Sequence, residues 1–238
     1  RLACLLAKEK EKSSTKALLI SMISHELKSP LNVILSVSEL NEMYSETMCK
    51  KNKEKNLGMI KSSISRINSI LCDVSLLNQI GLEGIVPNMC DVNIRLFCEG
   101  IVEEAKESNK KNGDIFLEFH NASKTMIKAD EKILRHVLLN ILSNAIKYCG
   151  PEYIINFDVF VKNDEITFKV KDDGIGISSA DIPHIFNAFY RAGNSGNKCG
   201  SGLGLYIAKT FTQLHGGSIA VQSEPGAGTT FSVAIPLP

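Results

Sequence analysis

The sequence predicts an α+β chain in two parts: an antiparallel helical hairpin, two copies of which close a four-helix bundle, and then a mixed α/β domain. Three observations predict it. Two stretches near the N-terminus repeat apolar residues at steps of three and four; Gly81, Gly84 and Pro87 interrupt that pattern; and beyond them short alternating strands interleave with amphipathic helices. The boundary is expected at 84/85, giving a hairpin over 1–84 and a second domain over 85–238.

In the hairpin, Ile20, Ile23, Leu27, Leu31 and Ile34 form one stripe, and Leu57, Ile60, Ile64, Ile67, Leu71 and Val74 form another with the steps of a heptad seam. Between them Ser45 to Asn56 is polar and carries Lys50, Lys51, Lys53 and Lys55, which reads as a solvated loop. Gly81 and Gly84 are expected to stop the second helix. Two helices alone cannot bury both stripes, so a homodimer is expected. The competing arrangement packs the hairpin on its own C-terminal domain.

The second part is expected to run as a helix over 94–109, a strand over 114–119, a helix over 131–148, strands over 154–161 and 165–170 about an Asn163-Asp164 turn, a helix over 202–214, and a closing hairpin of 218–222 with 229–235.

Composition narrows the partners. A formal charge of +1 lacks the basic excess of a nucleic-acid binder, so no nucleic acid is expected. The seven cysteines include no C-x-x-C pair and read as free thiols in a reducing, cytoplasmic compartment. No apolar run approaches the ~18 residues of a membrane span, so no membrane contact is expected of this stretch. A start at Arg1 directly into a helical pattern suggests a piece of a longer protein.

His25 lies two residues from both Ile23 and Leu27 and so points away from that stripe, exposed as a nucleophile should be. Glu26 adds a carboxylate that can fix the imidazole tautomer. Pro30 denies an N–H to the carbonyl of Glu26, and a bend is expected there. On the helix over 131–148, Asn140, Asn144, Lys147 and Tyr148 form a polar strip that suits a cation with a polyphosphate, as hard amide oxygens beside a point charge. Asp172 ends a strand in Asp172-Asp173-Gly174-Ile175-Gly176, where a carboxylate can accept from an exocyclic amine and glycines admit close approach. Gly200-Ser201-Gly202-Leu203-Gly204 opens a helix whose bare N–H groups attract anionic oxygen. Taken singly, each of these is also what an ordinary helix face or turn shows.

Together and in order they carry more. The string Ser24-His25-Glu26-Leu27-Lys28-Ser29-Pro30-Leu31 resembles the H-box of two-component sensor histidine kinases, and the later segments resemble the N, G1, F and G2 boxes of that family's ATP-binding domain. The resemblance implies a mixed α/β sandwich of the gyrase and histidine-kinase type. It implies ATP-dependent phosphorylation of His25 with Glu26 assisting, then transfer to an aspartate on the receiver domain of a response regulator. Ser29 falls where the family usually has Thr or Asn to position a water for dephosphorylation. By resemblance Asn144 coordinates Mg²⁺, with Asn140 a second candidate; Lys147 and Tyr148 contact phosphates or ribose; Asp172 takes the adenine amine; Gly174 and Gly176 shape the base pocket; Gly202, Leu203 and Gly204 lie along the phosphates. Ile185 to Arg191 corresponds to the F-box, which makes Arg191 a candidate for the triphosphate, and the stretch over 192–200 to a lid. The parent is expected to be a membrane-anchored or hybrid sensor. Two other readings compete: a dimeric scaffold without chemistry, and a gyrase-like ATPase clamp.

Overall fold

A computed structural model describes residues 2–44, 49–83, 87–108, 111–120, 126–162, 164–193 and 200–237; for 2–19 and 76–83 it describes the backbone. The backbone divides into two compact units, one the hairpin up to Asn78 and the other running from Gln79 to the C-terminal strand.

The hairpin consists of α1 (Leu2–Met43) and α2 (Lys50–Glu83). Two expectations need correcting. The lysine run is helical from Lys50 onward, because lysine is a good helix former and its charges lie in solvent on an exposed face. Gly81 does not stop α2, which continues to Glu83; one glycine costs a helix only about 1 kcal/mol. Gly84 lies outside the described residues. Pro30 sits buried inside α1, which runs through it as one helix.

The seam is also shifted. The faces that meet within one hairpin are Ile23, Leu27, Pro30, Ile34 and Val37 on α1, and Ile60, Ser63, Ile67, Ile70 and Val74 on α2, all buried or half-buried. Val37 and Ile70 are its most enclosed residues, and Asn56 donates to Asn41 at 2.7 Å. Ile20, Leu31, Leu57, Ile64 and Leu71, expected in the stripes, are about half exposed. Each helix thus carries a broader apolar face than its partner in the hairpin covers.

The second unit is two-layered. Strands β2 (Asn112–His120), β4 (Glu152–Val161), β5 (Glu165–Asp172), β6 (Ser218–Glu224) and β7 (Gly228–Pro236) form one sheet in the order β2-β4-β5-β7-β6. The β2–β4 pair is parallel and the others antiparallel. Helices α3 (Ile94–Glu107), α4 (Glu131–Tyr148) and α5 (Gly204–Leu214) each bury one apolar face. Alternation along β4 and β5 sends Ile155, Phe157, Val159, Ile166, Phe168 and Val170 into the core. The other side of the sheet is more accessible and mixed, with Phe116 and Ile154 about half exposed among polar residues.

A small antiparallel sheet of β1 (Cys90–Asn93) and β3 (Met126–Ala129) was not expected. Four-residue strands fall below what alternation can signal. Asn93 closes β1 and caps α3 by accepting from the amides of Arg95 and Leu96. Asn163, in the expected β4–β5 turn, lies outside the described residues; beside it Lys162 N–H donates to the Glu165 carbonyl at 2.8 Å.

At the centre, the Phe157 and Phe168 rings stand 6.4 Å apart and both are fully enclosed. Phe168→Ala is expected to cost about 3–5 kcal/mol, read as a lower urea midpoint in far-UV circular dichroism. An unchanged midpoint would remove this pair from the core.

Candidate functional site

Helix α4 presents the polar strip. Asn140, Asn144, Lys147 and Tyr148 are all half-buried along it, while Leu134, Leu138, Ile141, Leu142 and Ala145 pack inward. Asn140 Nδ2 donates to the His136 carbonyl at 2.9 Å, and its Oδ1 lies against Gly204 at the start of α5. The Asn144 carboxamide makes no hydrogen bond among the described residues, and the Lys147 ammonium lies 4.6 Å from the Tyr148 ring centre without an ion pair.

Both ends of α4 are held by side chains from elsewhere. At the N-terminus Asp130 Oδ1 accepts from Ile133 N–H (3.1 Å) and Oδ2 from Asn88 N–H (2.8 Å). The Asp130 N–H donates to Nε2 of buried His215 at 3.1 Å, and His215 Nδ1–H donates to the Phe211 carbonyl at 3.1 Å. One ring nitrogen therefore accepts and the other donates, which is the neutral imidazole. At the C-terminus the Lys111 ammonium donates to the carbonyls of Ile146 (2.8 Å), Lys147 (3.3 Å) and Cys149 (3.0 Å). A cation there satisfies orphaned carbonyls and complements the helix dipole. No local sequence signal pointed to Lys111 or His215, since both act across long chain separations.

Beside that end sits Asp172, buried at 5% exposure. Its Oδ1 accepts from Gly174 N–H (2.9 Å) and from Thr229 N–H (3.2 Å), Thr229 being its register partner on β7. Oδ2 has no partner among the described residues. Burial pushes the carboxyl above the ordinary carboxylate range, against the two amide bonds that pull it down. The Cys149 thiol, buried nearby, is pushed up to about 12 by burial and by the Asp173 carboxylate, so it stays protonated and unreactive.

The glycines fit close quarters. A Cβ on Gly174 would stand 2.8 Å from Asp172 Oδ1 and 2.9 Å from the Tyr148 carbonyl. Gly176 has φ +68° and no room for a side chain against the Glu224 carbonyl. Gly202 has φ +74°, and its carbonyl accepts from Phe189 N–H at 3.0 Å. Gly204 faces α4, where a Cβ would lie 2.6 Å from Asn140 Oδ1. The helix expected from Gly202 begins instead at Gly204, with Leu203 at its N-cap and no side chain bonded across the cap, so the first turn's amides lack that partner. Leu203 is fully buried.

In the segment before the lid, Phe186 packs edge-on against Phe231 at 6.4 Å. Asp181 accepts from Tyr190 OH (2.7 Å) and Ser178 Oγ (2.8 Å), bonds that hold its carboxyl below the usual range. Arg191 is half-buried at the end of this segment, and most of the expected lid, residues 194–199, lies outside the described residues.

In the hairpin unit His25 and Ser29 are exposed. The structure does not bring Glu26 onto the His25 ring, since neighbours on a helix diverge by about 100°. Glu26 Oε2 instead meets Arg66 Nη2 of α2 at 2.7 Å, both side chains about a fifth exposed. Among the described residues, Arg66 Nε is buried without a partner.

Two family models match the chain: the His Kinase A (phospho-acceptor) domain over residues 15–83, and the histidine kinase-, DNA gyrase B- and HSP90-like ATPase over 129–238. The Sensor histidine kinase YkoH of Bacillus subtilis is 32% identical over 88% of this chain and 45% of its own length. Hybrid signal transduction histidine kinase B of Dictyostelium discoideum is 31% identical over 97% of this chain and 12% of its own. The chain thus spans less than half the length of these curated relatives. Among solved structures, histidine kinase ThkA in complex with response regulator protein TrrA superposes with a TM-score of 0.75 at 20% identity, covering 97% of this chain and 65% of that one. ShkA in complex with AMPPNP gives 0.64 at 25% identity, covering 93% and 46%.

Folding places Asp172 in a protein interior that resists its ionisation, so its contribution to stability falls as pH rises from the ordinary carboxylate range through its raised pKa. Asp172→Asn is expected to melt higher than wild type at pH 7, the difference narrowing as pH falls toward 4. A variant that melts lower at pH 7 would contradict this.

Proposed function

This chain belongs to the two-component sensor histidine kinases, and from that premise we propose that it transfers the γ-phosphoryl group of ATP to its own His25 and then to a receiver aspartate. The observation that carries the reading is a buried carboxylate, Asp172, whose one oxygen is fully engaged by two amides while the other remains available at the end of the Asn140–Tyr148 strip. An acceptor so placed selects an exocyclic amine, as on adenine. Gly174 and Gly176 leave room for the base, Gly202, Leu203 and Gly204 lie along the phosphates, and the first turn of α5 turns its N-terminus toward them. Lys147 supplies positive charge there, with Tyr148 and Arg191 as further contacts.

The residues fit Mg²⁺, because Asn144 offers an amide oxygen with no competing bond among the described residues; Asn140, whose oxygen lies against Gly204, is the second candidate. Bound there, the ion would neutralise phosphate charge. At His25, an unprotonated ring nitrogen attacks the γ-phosphorus, the bond to the β–γ bridging oxygen breaks, and ADP leaves with that electron pair. The proton on the other ring nitrogen is lost as the phosphoramidate forms, and Glu26 is the nearest carboxylate in sequence able to take it, directly or through one water. Positioning and charge dominate in such transfers. Ser29 is the candidate for orienting a water in the reverse, dephosphorylating reaction.

The half-exposed apolar residues of α1 and α2 support a homodimer in which a second hairpin covers them. A response-regulator receiver is the proposed acceptor of the phosphoryl group. No described helix is long and apolar enough to cross a membrane, and we place this stretch in the cytoplasm, as part of a longer sensor.

With γ-labelled ATP, wild type should gain acid-labile label and His25→Ala should gain none while still binding nucleotide. Label persisting in His25→Ala would defeat the kinase reading; steady ATP hydrolysis without label would favour a clamp, and neither activity a scaffold. In Asp172→Asn, the amide oxygen keeps the two N–H bonds and its NH₂ meets the adenine amine donor to donor. Nucleotide affinity should fall about 10- to 100-fold in a fluorescent-nucleotide titration, although the fold is intact. Normal binding would rule Asp172 out as the adenine acceptor.

A further inference from the structure

The face of the sheet turned away from the helices carries a cluster that nucleotide chemistry does not use. Strand alternation puts Glu118 and His120 on one side of β2, and the parallel register sets Asp158 of β4 opposite Glu118 and Phe160 opposite His120. The imidazole stacks on the Phe160 ring, centroids 4.5 Å apart and planes within 13°. That stack fixes the ring plane and leaves Nε2 2.7 Å from Asp158 Oδ1 and 3.9 Å from Glu118 Oε2. One donor atom from each of the three residues lies within 4.8 Å of the others.

We propose that Glu118, His120 and Asp158 form a surface site for Zn²⁺. The donor set is one imidazole and two carboxylates. In a tetrahedral zinc site, donors about 2.0–2.2 Å from the ion stand roughly 3.3–3.6 Å from one another, and the present 2.7 and 3.9 Å straddle that spacing. Little movement is needed, because the Glu118 side chain is 70% exposed and free to swing while His120 is braced by Phe160. Mg²⁺ and Ca²⁺ are disfavoured, since they require six or more oxygens and reject the imidazole. A dication also offsets the two carboxylates; Lys169, paired with Asp158 on β5, shares this face but forms no ion pair with it. The fourth position opens to water.

The site is separate from the nucleotide pocket. Asp172 is paired with Ile155, and Ile155 and Asp158, three residues apart on β4, point to opposite faces. Strand β2 is one edge of the sheet, and among the described strands it pairs with β4. An ion shared by the two strands would fasten that edge.

The test is calorimetric titration of the full chain with Zn²⁺, free of nucleotide and under a phosphine reductant. A Co²⁺ absorption spectrum reports the ligand atoms. One site is expected in wild type, weakened more than about 10-fold in both His120→Ala and Asp158→Asn, with far-UV circular dichroism unchanged. The Co²⁺ spectrum should lack a thiolate charge-transfer band. Absence of binding, an isotherm unchanged in both variants, or a thiolate band lost on cysteine alkylation would overturn the assignment and leave His120–Asp158 as a plain hydrogen bond.

Discussion

Three main-chain carbonyls gathered on the Lys111 ammonium at one end of α4, and a neutral His215 seated against the Asp130 N–H at the other, fix the helix on which the pocket is built. A helix that carries ligand contacts along one polar side has only its opposite face to hold it in place. Rotation or slippage by a fraction of a turn would misdirect Asn140, Asn144 and Lys147 together. End-pinning removes that freedom without placing a bulky group in the pocket. The Asp172–Gly176 turn depends on the same anchor, because Ile175 N–H donates to the Tyr148 carbonyl at 3.3 Å and Gly174 packs on it.

The proposed phosphoryl acceptor and the proposed adenine acceptor stand in contrasting surroundings. Asp172 is enclosed and its ionisation opposed, so its bonding is directional and exclusive. His25 lies in the open, with its neighbouring carboxylate drawn across the hairpin by Arg66. The same ion pair ties α1 to α2 at the level of the acceptor. Because Arg66 Nε is buried without a partner among the described residues, losing Glu26 would strand more of the guanidinium than a surface pair would.

Much of this was legible in the sequence, and the exceptions have physical causes. Helix α4 and strands β4, β5 and β7 could be read because each has a long, regular periodicity ending in a recognisable cap or turn. The hairpin was read as to type but with its seam displaced: Leu57, Ile64 and Leu71 satisfy a heptad as well as Ser63 and Ile70 do, and apolarity cannot say which side meets which helix. The lysine run looked like a loop because charge marks exposure, and a solvated helix face is exposed too. His25, Asp172 and the glycines were visible through local order. Lys111, Thr229, His215 and Arg66 were not, since each acts on a residue at least 35 positions away.

The Phe189–Gly202 bond joins two points of the chain that stand side by side, both in left-handed backbone. Everything between them leaves from and returns to one main-chain clasp. Closing such a loop costs only about 0.6 kcal/mol more for each doubling of its length. Insertions and deletions between these two residues can therefore accumulate while Phe189 and Gly202 stay where they are, so related proteins are free to differ most in the segment between them.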